Sequence, residues 1–261
     1  MEMLLLVGIF AAGLIWFLNS FKGKPKNTVT VTHLSVEEKS ILLQHVPFYA
    51  SLNENDRLRF EERVKHFLSD ISITGANASI EPMDRIFVAA SAVIPTFGFT
   101  DWEYTNIDEV IIYPETFGDE FEQEGSDRSI LGMVGWGVMN NTMIISQHDL
   151  RQGFLNKTGK GNTAIHEFVH LLDKSDGAVD GIPENLIDKQ YIKPWISLMQ
   201  KKIASMLKGK SDINIYGATN EAEFFAVASE YFFERPDLLK KKHPDLYALL
   251  SEVFRKKEVS K

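Results

Sequence analysis

Two histidines four positions apart, with a glutamate directly after the first, constrain this chain more than anything else in it: His166-Glu167-Phe168-Val169-His170. On an α-helix, positions four apart lie about 40° from each other around the axis, so His166 and His170 can aim ring nitrogens at one cation. Glu167 falls about 100° from His166, poorly placed as a ligand but well placed to exchange a proton with water beside that cation. The neighbouring residues say where such a helix must lie. Ala164, Ile165, Phe168, Val169, Leu171 and Leu172 cover most of its circumference, the pattern of a helix buried on nearly all sides. One narrow polar stripe interrupts them, carrying Thr163, His166, Glu167, His170 and Asp173. Buried ionisable groups are costly unless they pair or bind a metal. A hydrogen-bonded pair of core histidines is the plain alternative, and it needs a separate partner for each ring and a neutral Glu167.

A hydrolytic zinc site takes three protein ligands and keeps one position for water, so a third donor has to come from elsewhere. Residues 223–234, EFFAVASEYFFE, form a second stretch that is apolar all round except for one line of carboxylates, Glu223, Glu230 and Glu234. Glu223 is the best-placed donor. It also fits a capping box with Asn220, and periodicity alone does not choose between the two roles. Glu221 and His243 are weaker ligand candidates, one off the carboxylate line and the other in a charged segment flanked by proline. A ligand histidine usually donates its other ring N–H to a carboxylate or carbonyl, and Asp173 and Glu230 are the two candidates for that contact. Asp176 and Asp180, each followed by glycine, read as ordinary turn residues.

These segments resemble a known family. HEFVHLLD (residues 166–173) and YGATNEAEFFAVASEYFF (216–233) are similar to the Mlc titration factor A family of zinc peptidases, and VIIYPETF (110–117) and DGAVDGIP (176–183) extend the likeness over most of residues 35–250. The resemblance implies one Zn²⁺ bound by His166, His170 and Glu223, with Glu167 as general base. It makes Tyr216 a hydrogen-bond donor to the transition state, where the residues alone suggest an aromatic anchoring the Asn-Ile-Tyr-Gly turn. The spacing from Tyr216 to Glu223 also resembles the metallopeptidase domain of anthrax lethal factor. The implied class is a gluzincin-type zinc metallopeptidase acting on peptides or exposed protein segments. The family's name comes from titrating a transcriptional repressor, which implies the alternative of a zinc-binding regulator that sequesters a partner protein. Another zinc hydrolase, such as an amidase, and a metal-free scaffold are further readings.

Outside the site, residues 3–18 (MLLLVGIFAAGLIWFL) are apolar without interruption, and Asn19, Ser20 and Phe21 bring the run near the ~20 residues that span a bilayer. Glu2 before it and no small-x-small site after it favour an uncleaved anchor over a signal peptide. Lys22, Lys24 and Lys26 follow, so the positive-inside rule expects the N-terminus outside the cell membrane and the remaining chain in the cytoplasm. The expected division is a transmembrane anchor at 1–21, a linker at 22–34 and a zinc peptidase domain at 35–261. A net charge of −8 argues against a nucleic-acid footprint, and the absence of cysteine rules out thiolate zinc sites and disulfide frameworks.

Helical patterns run from Ser35 to Gln44, 55 to 69 and 83 to 94, and two more follow Pro236 and Pro244. Strand signals fall at 110–113, 133–139 and 143–146, with a hairpin turn expected at Asn140-Asn141. Helices, then strands, then helices predict an α+β domain with a small sheet beside the metal helix, one strand of which can align an extended substrate. Trp136 either lines that strand's edge or packs beneath it.

Overall fold

Ser35 and Glu38 close the capping box that their spacing predicts: Glu38 N donates to Ser35 Oγ at 3.1 Å, and Ser35 N donates to Glu38 Oε2 at 2.7 Å. This opens α1 (Val36–His45), and Leu34 just ahead of it is already buried in the core. The structure, a computed structural model, describes residues 33–100, 102–115, 132–134 and 141–255. The apolar run at 3–21 and Trp136 lie outside them. Among the described residues no helix is long and apolar enough to cross a membrane.

The short α2 (Pro47–Ser51) leads into α3 (Glu54–Asp70), whose N-terminus is capped by Asn53, and α4 (Pro82–Thr96) starts at Pro82, where a missing N–H costs nothing. Every residue of α4 from Ile86 to Thr96 is buried, and the helix packs against α1 and α3. The sheet runs in the order β1 (Ser72–Gly75), β2 (Glu109–Tyr113), β4 (Thr142–Ser146), β3 (Gly132–Val134). β1, β2 and β4 are parallel, and β3 pairs antiparallel on the edge of β4.

Two expectations change here. Helices and strands are not fully segregated, because β1 precedes α4 and the helix crosses over between two parallel strands. Its sequence, Ser-Ile-Thr-Gly, is too short to show an alternation. Nor does a two-residue turn at Asn140-Asn141 join β3 to β4, since Val134 already faces Met143. Asn141 instead sits at positive φ beside β2, its carbonyl accepting from Asp108 N at 2.7 Å.

After β4 come α5 (Gln147–Leu155), α6 (Thr163–Asp173) and α7 (Lys189–Leu207), then α8 (Glu221–Glu234), α9 (Pro236–Lys242) and α10 (Pro244–Val253). Sequence periodicity had marked neither α5 nor α7. α6 is packed between β3, α4 and α8. Phe168 anchors it edge-on to Phe67 (ring centroids 5.6 Å apart) and beside Tyr104 at 5.4 Å. α8 is held by Phe224 and Phe225 against Trp195. Each such fully buried ring contributes about 1.5–3 kcal/mol, so both polar stripes are fixed from behind by the core.

The loop after α6 returns the chain to α8. Asp176 and Asp180 make the expected turns, accepting from Ala178 N and Ile182 N. Gly181 has φ +74°, and a Cβ there would lie 2.2 Å from the Glu221 carbonyl oxygen at the start of α8. Gly181→Ala is therefore expected to lose stability by more than the ~1–2 kcal/mol of the left-handed backbone alone. Thermal unfolding reads this directly, and an unchanged midpoint would mean that the loop does not bear on α8.

Candidate metal centre

Asn162 stops the preceding loop and starts α6 by accepting Ile165 N on its side-chain oxygen at 3.2 Å. Four and eight residues on, His166 and His170 point the same way, with ring centroids 4.7 Å apart. Asn220 does the same for α8, taking Glu223 N at 2.9 Å. The capping is not reciprocal, because the Glu223 carboxylate turns instead toward the two imidazoles. His166 Nε2 lies 3.0 Å from Glu223 Oε2, His170 Nε2 3.0 Å from His166 Nε2, and His170 Nε2 3.5 Å from Glu223 Oε1.

Three donor atoms thus lie within 4.8 Å of one another, and among the described residues this is the group of His, Cys, Asp and Glu able to hold a metal ion. Donors around a tetrahedral Zn²⁺ at about 2.0–2.1 Å are about 3.3 Å apart, which the observed separations bracket. The protonation pattern fits as well. His166 Nδ1 is 2.7 Å from Glu230 Oε1, so that nitrogen carries a hydrogen and Nε2 is the atom left to face Glu223 and His170. Without a metal, a proton must sit among these atoms. Burial alone would push His166 down, but hydrogen bonds to Glu223 and Glu230 outweigh it and raise the imidazole to about 10. Burial raises Glu223 too, and the two histidines more than reverse this, to about 2. A divalent cation would replace the proton and satisfy all three lone pairs.

Glu167 is 6% exposed and makes no hydrogen bond among the described residues. Burial raises its carboxyl above the ordinary value, against the pull of His166 and His170. Tyr216 lies in a one-turn 3₁₀ segment (Ile215–Ala218) positioned by Asn214, its ring centroid 5.9 Å from that of His166. It is half-exposed, and burial together with Glu223, Glu167 and Glu230 raises its phenol, which keeps it a donor at neutral pH. A cleft of about 760 Å³ is lined by His166, Glu167, Tyr216 and Glu230, with Gln152 of α5 and Asn156 just past its end also in the wall. That wall was not anticipated, since α5 carries no motif.

Of the two carboxylates expected behind a histidine, Glu230 reaches His166, whereas Asp173 turns away. Asp173 Oδ2 accepts Gly181 N at 2.8 Å, tying the helix end to the return loop, and burial raises its carboxyl to about 6. His243 belongs to a separate cluster, donating to Asp212 at 2.8 Å beside Lys160, Lys242 and Tyr231. Glu221 is exposed at the mouth of α8 and has no part in the donor group.

A helix carrying His-Glu-x-x-His beside a small sheet, facing a glutamate from a second helix, defines a helix-rich α+β protein of the metallopeptidase class. The chain belongs to the glucose-regulated metallo-peptidase M90 family, whose profile matches residues 21–255, and within it to the Mlc titration factor A group. It is similar to Mlc titration factor A of Escherichia fergusonii, 27% identical over 224 residues that cover 80% of this chain and 82% of that one. Mlc titration factor A of Pectobacterium atrosepticum is 29% identical over 161 residues, 56% of this chain and 58% of its own length. An uncharacterised protein of Synechocystis sp. is 29% identical over 238 residues, 83% and 82% of the two chains.

Proposed function

We propose that this protein is a zinc-dependent peptidase of gluzincin type, with His166, His170 and Glu223 as the ligands of a single Zn²⁺. The observation that carries this reading is the convergence of three donor atoms from two helices beside a buried carboxylate, Glu167, that makes no hydrogen bond among the described residues. When bound, Zn²⁺ supplies a Lewis acid that polarises a substrate carbonyl and makes a water beside it acidic. Glu167 accepts the proton of the attacking water and later returns it to the leaving amine. Tyr216 donates its phenolic hydrogen to the oxyanion of the tetrahedral intermediate. Glu230 holds the His166 ring so that Nε2 faces the ligand group. β3, at the edge of the sheet and against α6, aligns extended peptide substrate by main-chain hydrogen bonds.

The test is zinc content and peptide cleavage by the purified protein, with activity lost to a chelator and restored by Zn²⁺. Protein that binds no metal, or binds it and cleaves no peptide, ends the peptidase reading. Tyr216→Phe is expected to keep its zinc and lose about 3 kcal/mol of transition-state stabilisation, roughly a hundredfold in kcat/KM. Unchanged kcat/KM would take Tyr216 out of the reaction.

The relatives' name favours a second reading, in which the domain captures a regulatory protein as the Mlc titration factors are named for doing. Capture would persist in a Glu167→Gln variant, whereas a peptidase would only trap its substrate there. We further propose that the apolar run at 3–21 anchors the domain to the cytoplasmic face of the cell membrane, a reading supported by hydropathy and the lysines that follow. Fractionation of the full chain against a version lacking residues 1–21 tests it.

A further inference from the structure

The start of α6 is held by contacts that capping alone does not require. Asn162 is buried, and three of its polar groups are engaged: Oδ1 takes Ile165 N, its own N donates to Glu230 Oε2 at 2.6 Å, and Nδ2 donates to Glu234 Oε1 at 2.9 Å. The other oxygen of Glu230 takes the Nδ1 hydrogen of His166 at 2.7 Å. One carboxylate therefore binds both the residue before the helix and the histidine a turn inside it. Packing allows little slack. A Cβ at Gly153 would lie 2.8 Å from the Asn162 side-chain carbon, and one at Gly161 would lie 3.1 Å from Glu230 Oε2.

Granting the metal reading of the site, we infer that Asn162 and Glu234 are positioning residues: with Glu230 they strap the N-terminus of α6 to α8 and fix which nitrogen of His166 faces Glu223 and His170. An imidazole can rotate by half a turn or exchange tautomers, and only a carboxylate fixed in orientation prevents both. The Asn162 N–H fixes the Glu230 carboxylate by occupying its second oxygen. Asn162 is in turn fixed because Glu234, one turn further along α8, holds its amide. Glu223, Glu230 and Glu234 thus have distinct tasks along one helix face: donor, orienter and anchor.

The experiment uses the full chain and two readouts that do not involve turnover. Zinc affinity is measured by competition with a chelator. The Nδ1 proton of His166, shielded from solvent by Glu230, is followed as a downfield resonance in metal-free and zinc-loaded protein. Asn162→Ser keeps an N-capping oxygen but removes the amide, and Glu234→Leu removes the amide's acceptor. Each is expected to weaken zinc binding by about 10–100-fold and to broaden the His166 resonance through faster exchange. Glu234→Gln retains an accepting oxygen and is expected to stay near wild type on both readouts. Wild-type affinity and an unchanged resonance in Asn162→Ser and Glu234→Leu would overturn the inference, as would a Glu234→Gln variant as weak as Glu234→Leu. If Asn162→Ser does not fold, the two Glu234 variants decide alone. A wild type that binds zinc through this strap yet cleaves no peptide would remove the peptidase reading and leave the strap standing. If the wild type binds no zinc, the metal reading fails and the resonance still tests the strap.

Discussion

Glu167→Gln is expected to bind zinc as tightly as the wild type and to lose peptide turnover by about 10²–10⁴-fold, the range that a positioned general base contributes. The substitution is nearly isosteric, and because Glu167 makes no hydrogen bond among the described residues it breaks none. What changes is proton affinity: an amide oxygen cannot take the proton of the attacking water, nor an amide return it to the leaving amine. Burial favours the neutral side chain at this position, so folding stability should hold or rise slightly. Steady-state cleavage of a peptide together with zinc stoichiometry checks both halves. Turnover within a few-fold of wild type would show that another group takes the proton.

Glu223→Ala is expected to fail at an earlier step, by losing the metal. Two histidines on one helical turn form a weak bidentate site, and the third donor closes it. The loss in affinity should exceed the roughly 10–100-fold that follows removal of an outer hydrogen-bond partner. Cleavage falls with occupancy, and excess zinc should restore part of it, in contrast to Glu167→Gln, which excess zinc cannot rescue. The metal-free protein changes too. His166 loses the carboxylate at 3.0 Å that helps hold it charged, so its imidazole moves down from about 10 while Glu230 remains as its other partner. A raised folded pKa stabilises the fold at pH below the unfolded value near 6.5, and this contribution is lost as pH rises through the folded value. Metal-free Glu223→Ala should accordingly show its largest stability deficit against metal-free wild type between about pH 4.5 and 6.5, a difference that shrinks as pH rises toward 10 and as it falls toward about 2, where Glu223 itself takes a proton. Full zinc affinity in Glu223→Ala would move the third ligand elsewhere.

The two helices of the site and their inward faces were legible because an α-helix is a local object. Ala164, Ile165 and Phe168 repeat with the helical period whatever surrounds them, and Asn162 and Asn220 act as caps through bonds only three residues long. Four-residue β1 was not legible, because Ile73 is its only fully buried side chain and the parallel pairing with β2 involves residues more than thirty positions away. The edge hairpin was misjudged for a related reason. A pair of asparagines marks a place where the chain can turn, and Asn141 does adopt positive φ, but the pairing of Val134 with Met143 is too wide a register for a two-residue turn there.

By itself the sequence determined that two polar stripes lie on otherwise buried helices, that one carries both imidazoles and Glu167, and that the other offers a line of carboxylates. Tertiary structure alone decided which carboxylate meets which ring. Asp173 and Glu230 were equal on periodicity, yet Glu230 orients His166 while Asp173 is taken by Gly181 N of the return loop. The same holds for Glu223, whose side chain turns from a reciprocal cap to His166, 57 residues earlier in the chain, and to His170 beside it. A helical period fixes the direction in which a side chain leaves its own axis. Only the packing of Phe168, Phe224 and Phe225 into a common core fixes what stands opposite.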